Sequence, residues 1–320
     1  MFRASFIYLS QAAWAKQIIS NWSVARRAAS RFVAGEKLED ALQAVERLNQ
    51  EGFNTTLDHL GEHTSTEQKA YNATEDIIAI IDSIENTNTR ASISIKLTQI
   101  GLAIDKKLCE KNLEKILSHA SQKSSFVRID MEDSPWIDNT LELYWKMRND
   151  HNLHNVGLVI QSYLYRSVED VERLMSGGGK VRLCKGAYKE PKEIAYPKKP
   201  DVDANFDRIS KLLIDQALQL GAEGVSEDGR IPPLCAIASH DQDRLEFAKD
   251  YAHEVGLSKS ALEFQMLYGI RRELQNQCLE EGYPVRIYIP YGTEWYPYFT
   301  RRLAERPANL WFFISNYFRN

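Results

Sequence analysis

From residue 53 onward, short apolar runs alternate with longer stretches in which apolar residues recur every three or four positions. The runs are Phe53–Asp58, Ala91–Leu97, Phe126–Met131, Val156–Tyr163, Lys180–Cys184, Leu234–Ser239, Leu262–Met266 and Val285–Pro290. Runs of this length, bounded by turn-forming residues, predict strands buried on both faces. The stretches between them, Glu67–Ile84, Asp105–Ala120, Thr140–Asp150, Val168–Met175, Phe206–Leu220, Gln242–Val255 and Tyr268–Glu281, predict helices. Strands alternating with helices predict βαβ units and a parallel sheet. Eight such strands in about 240 residues fit a closed (β/α)8 barrel, the TIM-barrel class of α/β fold, better than an open sheet. No glycine-rich dinucleotide fingerprint follows the first strand, which weighs against the doubly wound alternative.

Ahead of the barrel, Ala12–Phe32 predicts a helix with Trp14, Ile18, Trp22 and Ala25 near one face and Lys16, Arg26, Arg27 and Arg31 elsewhere. Such a face packs on the main domain or lies on an anionic membrane surface, and packing is the favoured use. A second helix, Leu38–Glu51, ends at Gly52, the residue type preferred just past a helix terminus. The expected organisation is therefore an N-terminal helical arm over 1–52 and a barrel domain over 53–320, the final helix included. One long irregular connection, Lys189–Asn205, follows the fifth strand, on the face where barrel chemistry sits.

Composition narrows the function classes. The chain has 320 residues, 43% of them hydrophobic and 26% charged, as in ordinary globular proteins. A net charge of −4 gives no electrostatic case for nucleic-acid binding. Cys109, Cys184, Cys235 and Cys278 are scattered without a CxxC pair, so a reducing compartment and no metal site are expected. No apolar run reaches the ~20 residues of a membrane span.

The strand ends carry the candidate chemistry. Asp58 and Glu62 follow the first strand, Lys96 the second, and Asp130, Glu132 and Asp133 the third; Gln161 ends the fourth. The fifth, in the string KVRLCKGAY, contributes Arg182, Lys185 and Tyr188. Ser239, His240 and Asp241 end the sixth, Glu263 and Gln265 lie on the seventh, and Tyr288 on the eighth. Singly, each has a structural explanation: Arg182 as a strand-end ion pair, Lys96 paired with Asp130, His240 as a hydrogen-bonded core histidine. Together they describe a barrel mouth that needs a large polar ligand to satisfy it. The last helix adds Tyr298, Arg301, Arg302 and Glu305. It reads either as a solvated charged face or, through its guanidinium forks, as a carboxylate clamp.

Five strings then resemble the proline dehydrogenase family: SIKLTQIG at Ser94–Gly101, VRIDMED at Val127–Asp133, VRLCKGAY at Val181–Tyr188, EFQMLYGIR at Glu263–Arg271 and RIYIPYGTEWYPYFTRRLAE at Arg286–Glu305. The resemblance runs from about residue 36 to the end of the chain, and its last two strings are the most specific. It implies a distorted barrel with non-covalent FAD at its mouth. Catalytic positions would be Arg182, Lys96 and Asp130. Cofactor contacts would come from Asp130, Gln161, Arg182, Lys185, Gly186, Ala187, Ser239, His240 and Glu305, with Lys199–Phe206 over the adenine side. Substrate contacts would come from Lys96, Arg301 and Arg302 on the carboxylate and from Tyr288, Tyr298, Tyr188 and Leu267 around the ring, with Glu62 as the ion-pair partner of Arg301. Cys184 and Asp241 depart from the family's usual residues.

The implied reaction is oxidation of L-proline to Δ1-pyrroline-5-carboxylate by hydride transfer to flavin N5, the first step of proline catabolism. The electrons would go to a membrane quinone, and a separate pyrroline-5-carboxylate dehydrogenase would take the product. The expected setting is a monofunctional, bacterial-type cytoplasmic enzyme, peripheral on the inner face of the membrane. No residue stands out as a base for the proline nitrogen. Two other classes fit the residues: a Schiff-base lyase using Lys96 or Lys185, and a non-catalytic barrel binding an amino acid or a membrane surface.

Overall fold

The computed structural model describes residues 29–305. Its strands are β1 (Asn54–His59), β2 (Ala91–Ile95), β3 (Val127–Ile129), β4 (Val156–Gln161), β5 (Lys180–Cys184), β6 (Cys235–Ala238), β7 (Leu262–Leu267) and β8 (Val285–Tyr291). They pair in sequence order, all parallel, and β8 closes on β1. The helices are α1 (Leu38–Gln50), α2 (Glu67–Thr87), α3 (Lys106–Gln122), α4 (Ile137–Asn149), α5 (Ser167–Ser176), α6 (Lys199–Gln219), α7 (Gln242–Glu254), α8 (Arg272–Glu280) and α9 (Trp295–Glu305). Every predicted strand and every predicted helix from residue 38 onward is present. The arm helix Ala12–Phe32 lies, apart from its end, outside the described residues.

Two boundaries move for physical reasons. Helix α6 begins at Lys199, so about half of the expected loop Lys189–Asn205 is helix. Pro200 in the first turn has no amide hydrogen to leave unpaired, and Asp201 there opposes the positive end of the helix dipole. Helix α8 begins at Arg272 rather than Tyr268, because Tyr268 still pairs with β8 (its amide donates to Tyr288 O, 2.9 Å). Gly269 next to it has φ +72°, and a Cβ there would lie 1.6 Å from the carbonyl oxygen of Arg31. Only glycine admits that crossing.

The strands also differ in character from the sequence expectation. Their outward side chains, such as Leu57, Ile93, Ile129, Leu158, Leu183, Ile237, Phe264 and Ile287, share one buried apolar cluster with the helix faces. Their inward side chains are largely polar: Thr56 meets Ser92 across the interior at 2.8 Å, and Arg286 meets Glu263 at 2.9 Å. The barrel is filled by paired polar groups in place of the branched aliphatic layers common in this fold. These pairs are affordable there because both members find a partner.

Helix α1 packs Ala41, Val45 and Leu48 into the same apolar cluster as the barrel. Helix α9 is held across the barrel mouth by a second cluster, in which Trp295, Tyr296, Tyr298 and Phe299 meet Phe32, Val33, Leu60 and Ile270. At the opposite end Arg230 donates to Glu85 (2.6 Å) and to the carbonyls of Ile84 and Thr89, while Arg286 donates to Gly229 O (2.8 Å). These bonds seal the floor. Among the described residues no helix is long and apolar enough to cross a membrane, and no group of three or more His, Cys, Asp or Glu is arranged to hold a metal.

Candidate active site

The carboxyl ends of the strands open into a cavity of about 1050 Å³. Its centre is Lys96, just past β2. The ammonium lies 3.2 Å from Asp58 Oδ2, 3.2 Å from Asp130 Oδ2 and 3.3 Å from the Tyr288 hydroxyl, with Glu62 Oε1 at 4.0 Å. Its three protons therefore have partners already. Burial alone would favour the neutral amine, but Asp58, Tyr288 and Asp130 outweigh it and hold the Lys96 pKa well above the usual lysine value. The same forces divide the two carboxylates. Desolvation dominates at Asp58 and raises its pKa, whereas at Asp130 Lys96 and Arg182 together overcome desolvation and lower it.

Arg182 rises from β5 into this network. Its Nε donates to Gln265 Oε1, and its Nη1 donates to Ser94 Oγ (3.0 Å) and Asp130 Oδ1 (3.0 Å). A guanidinium has five N–H groups. Three are thus committed, and the two on Nη2 remain beside the cavity that Arg182 lines. The guanidinium also sits 5.3 Å from the centre of the Tyr288 ring, whose hydroxyl donates to Asp130 Oδ2 at 2.7 Å.

Around this centre the wall is built from short-range contacts. Gln161 gives its amide hydrogens to the carbonyls of Met131 (2.8 Å) and Glu132 (3.2 Å), while its Oε1 is buried without a partner. Gly186, with φ +113°, lies against the Tyr163 ring, where a Cβ would come within 2.4 Å. Lys185 is held between Asp203 and Asp241, with Lys199 on the same two carboxylates. His240 Nε2 accepts from the Leu267 amide at 2.9 Å, and Ser239 Oγ accepts from the Asp241 amide at 3.1 Å. Overhead, Arg301 forms a two-pronged bond to Glu62 (2.7 and 3.1 Å), and Arg302 stacks on the Tyr298 ring at 5.2 Å. The Glu62 charge outweighs desolvation and keeps the Arg301 pKa above its ordinary value.

Nearly all the residues expected at the site therefore share one hollow: Glu62, Lys96, Asp130, Gln161, Arg182, Lys185, Gly186, Ala187, Tyr188, Ser239, His240, Leu267, Tyr288, Tyr298, Arg301 and Arg302 all line it. The Glu305 side chain lies outside the described residues. Glu263 is a correction: it is wholly buried below the mouth, paired with Arg286. The expected Lys199–Phe206 loop is also corrected, since those residues form the first turns of α6. Sequence reading placed Asp58 and Gln265 at strand ends but gave them no role. Period-two counting along their own strands was the signal, since Asp58 follows Thr56 by two and Gln265 follows Glu263 by two.

The proline dehydrogenase family profile matches residues 41–314. The chain belongs to this family. It is 37% identical over 310 residues to proline dehydrogenase 2 of Bacillus subtilis (97% of this chain, 96% of that one). It is 39% identical over 290 residues to proline dehydrogenase of Deinococcus radiodurans (90% and 89%). The fold matches the crystal structure of proline utilization A from Bdellovibrio bacteriovorus inactivated by N-propargylglycine, with a TM-score of 0.80 at 27% identity. That match covers 91% of this chain, which spans 34% of the larger protein. Membership makes the chain an oxidoreductase acting on a CH–NH bond. The Lys96 ammonium, held protonated, is unsuited to a lysine Schiff base.

Proposed function

We propose that this chain oxidises L-proline to Δ1-pyrroline-5-carboxylate in the cavity below α9, with FAD bound non-covalently beside the substrate. The observation that carries the reading is the arrangement of Arg182: three acceptor atoms fix its guanidinium, and Nη2 remains beside a hollow too large for proline alone. The residues fit a flavin. Gln161 Oε1 is a buried acceptor without a partner, suited to a ring N–H. Gln161, Arg182 and Asp130 would hold the ring; Lys185, Gly186, Ala187, Ser239 and His240 would hold the ribityl, diphosphate and adenosine parts. When bound, the flavin supplies the hydride acceptor at N5.

The remaining work belongs to the chain. Arg301 and Arg302 orient the substrate carboxylate, since three N–H groups of Arg301 stay available beyond its pair with Glu62. Tyr188, Tyr288, Tyr298 and Leu267 exclude water from around the ring. Fixing a reactant in this way lowers a barrier by several kcal/mol, on the order of the entropy it removes. Lys96 keeps Asp58 and Asp130 in place, and Arg182 would stabilise negative charge on an electron-accepting ring held beside it. Electron transfer to a membrane quinone, peripheral attachment to the inner membrane face and a separate pyrroline-5-carboxylate dehydrogenase complete the proposal.

The test is direct. Purified protein should be yellow and should bleach when L-proline is added without oxygen; a colourless protein with no proline-dependent dye reduction rules the proposal out. Arg301→Met is expected to raise the proline KM by about 10- to 100-fold, the worth of one or two charge-assisted hydrogen bonds. Flavin content should match wild type. A KM within threefold of wild type removes the clamp role.

A further inference from the structure

Below the cavity the barrel interior carries an unbroken column of hydrogen bonds. At its base Arg286 is fixed by the carbonyls of Thr55 (2.9 Å) and Gly229 (2.8 Å), and its Nε donates to both oxygens of Glu263 (2.9 and 3.1 Å). Gln265 Nε2 then donates to Glu263 Oε1, and Gln265 Oε1 accepts from Arg182 Nε. Solvent takes no part: Glu263 is 0%, Arg286 1% and Gln265 4% exposed.

Only one orientation of the Gln265 amide satisfies this column. The Glu263 carboxylate accepts and cannot donate, so it draws the NH2 end downward. Arg182 donates and cannot accept, so it requires the carbonyl end above. Resting on the flavin-dependent proline oxidation proposed above, we infer that Gln265 and Glu263 are positioning residues that set the rotation of the Arg182 guanidinium and so aim Nη2 into the cavity. A glutamine is suited to the task because it accepts without carrying charge. The Glu263 charge is already matched by Arg286, and Asp130 is the carboxylate bonded to Arg182.

Two variants test this, each leaving the Arg286–Glu263 pair intact. Gln265→Met removes the acceptor. Flavin should stay bound at wild-type stoichiometry, and the rate of anaerobic bleaching at saturating proline should fall about 10- to 100-fold, as for a misaimed donor. The proline KM should stay within about threefold, and the flavin reduction potential, measured without proline, should become more negative. Gln265→Glu is the conservative probe. Protonated, its carboxyl reproduces both bonds, donating to Glu263 and accepting from Arg182; ionised, it repels Glu263 and neutralises Arg182. The groups facing this position are Arg182 from β5, Glu263 from its own strand, Arg286 and Tyr288 from β8, and Arg128 from β3. Burial and Glu263 favour the protonated form, against the pull of Arg182 toward the ionised one. The rate relative to wild type should therefore approach one at low pH and fall about tenfold per unit above the introduced group's pKa.

A purely structural Gln265 would lower stability in both variants without moving the potential or the pH profile. A Gln265→Met rate within threefold of wild type with an unshifted potential overturns the inference, as does a Gln265→Glu profile parallel to wild type. A wild-type flavin that proline leaves unbleached overturns the proposed reaction and the positioning with it. Bleaching intact in both wild type and Gln265→Met overturns the positioning alone.

Discussion

Arg182→Met is expected to lower kcat for proline oxidation by about 100- to 1000-fold, the usual loss when one preorganised donor is removed from a site of developing charge. The guanidinium reaches the cavity already fixed by Gln265, Ser94 and Asp130, so no reorganisation is needed as charge moves. Proline KM should change least, because the carboxylate clamp on α9 is built from other residues. Loss of Arg182 also leaves Asp130 with Lys96, Tyr288 and Ser94 as its remaining partners, which keeps the network connected. Anaerobic stopped-flow reduction of bound flavin checks the prediction; a loss smaller than tenfold would show that the cavity's positive potential comes chiefly from Lys96.

The second large effect falls on stability. Lys96→Met removes the cation between Asp58 and Asp130, and breaking a buried ion pair from one side costs about 3–5 kcal/mol. Asp130 retains Arg182, so the strain concentrates on Asp58. Its carboxyl is already raised by burial, and without Lys96 it rises further. A group whose folded pKa lies above its unfolded value binds more protons in the native state, so stability falls as pH rises from the unfolded to the folded pKa. The gap between Lys96→Met and wild type should thus be larger at pH 8 than at pH 5. Urea midpoints at the two pH values measure it. A gap independent of pH would mean that Asp58 finds another partner.

Much of the site was legible because a parallel barrel collects its strand ends on one face. Once eight strands are recognised, Lys96, Asp130, Gln161, Arg182 and Tyr288 are forced to the same mouth, whatever their separation in the chain. Glu263 shows the limit of that reasoning. It lies on a strand whose later residues reach the mouth, yet it is two residues too early and serves the interior beneath, bonded to Arg286 from the neighbouring strand. The start of α6 was missed because Lys198–Asp203 reads as a charged, proline-containing loop. Asp203 pairs locally with Lys199 four residues before it, but both reach their other partners, Lys185 and Asp241, only across space.

The order of elements, the closure of the barrel and the family were fixed by local features: the period of apolar residues, turn formers, and strings of a few residues whose composition is specific. Protonation states and hydrogen-bond assignments were not. Whether Lys96 is a nucleophile or a locked ammonium depends on Asp58, Asp130 and Tyr288, which come from three other strands. Whether Gln265 presents an oxygen or a nitrogen to Arg182 depends on a carboxylate held by Arg286. Those are long-range electrostatic choices in a dry interior, where the energy of a group is set by its neighbours in space, and only the tertiary structure brings those neighbours together.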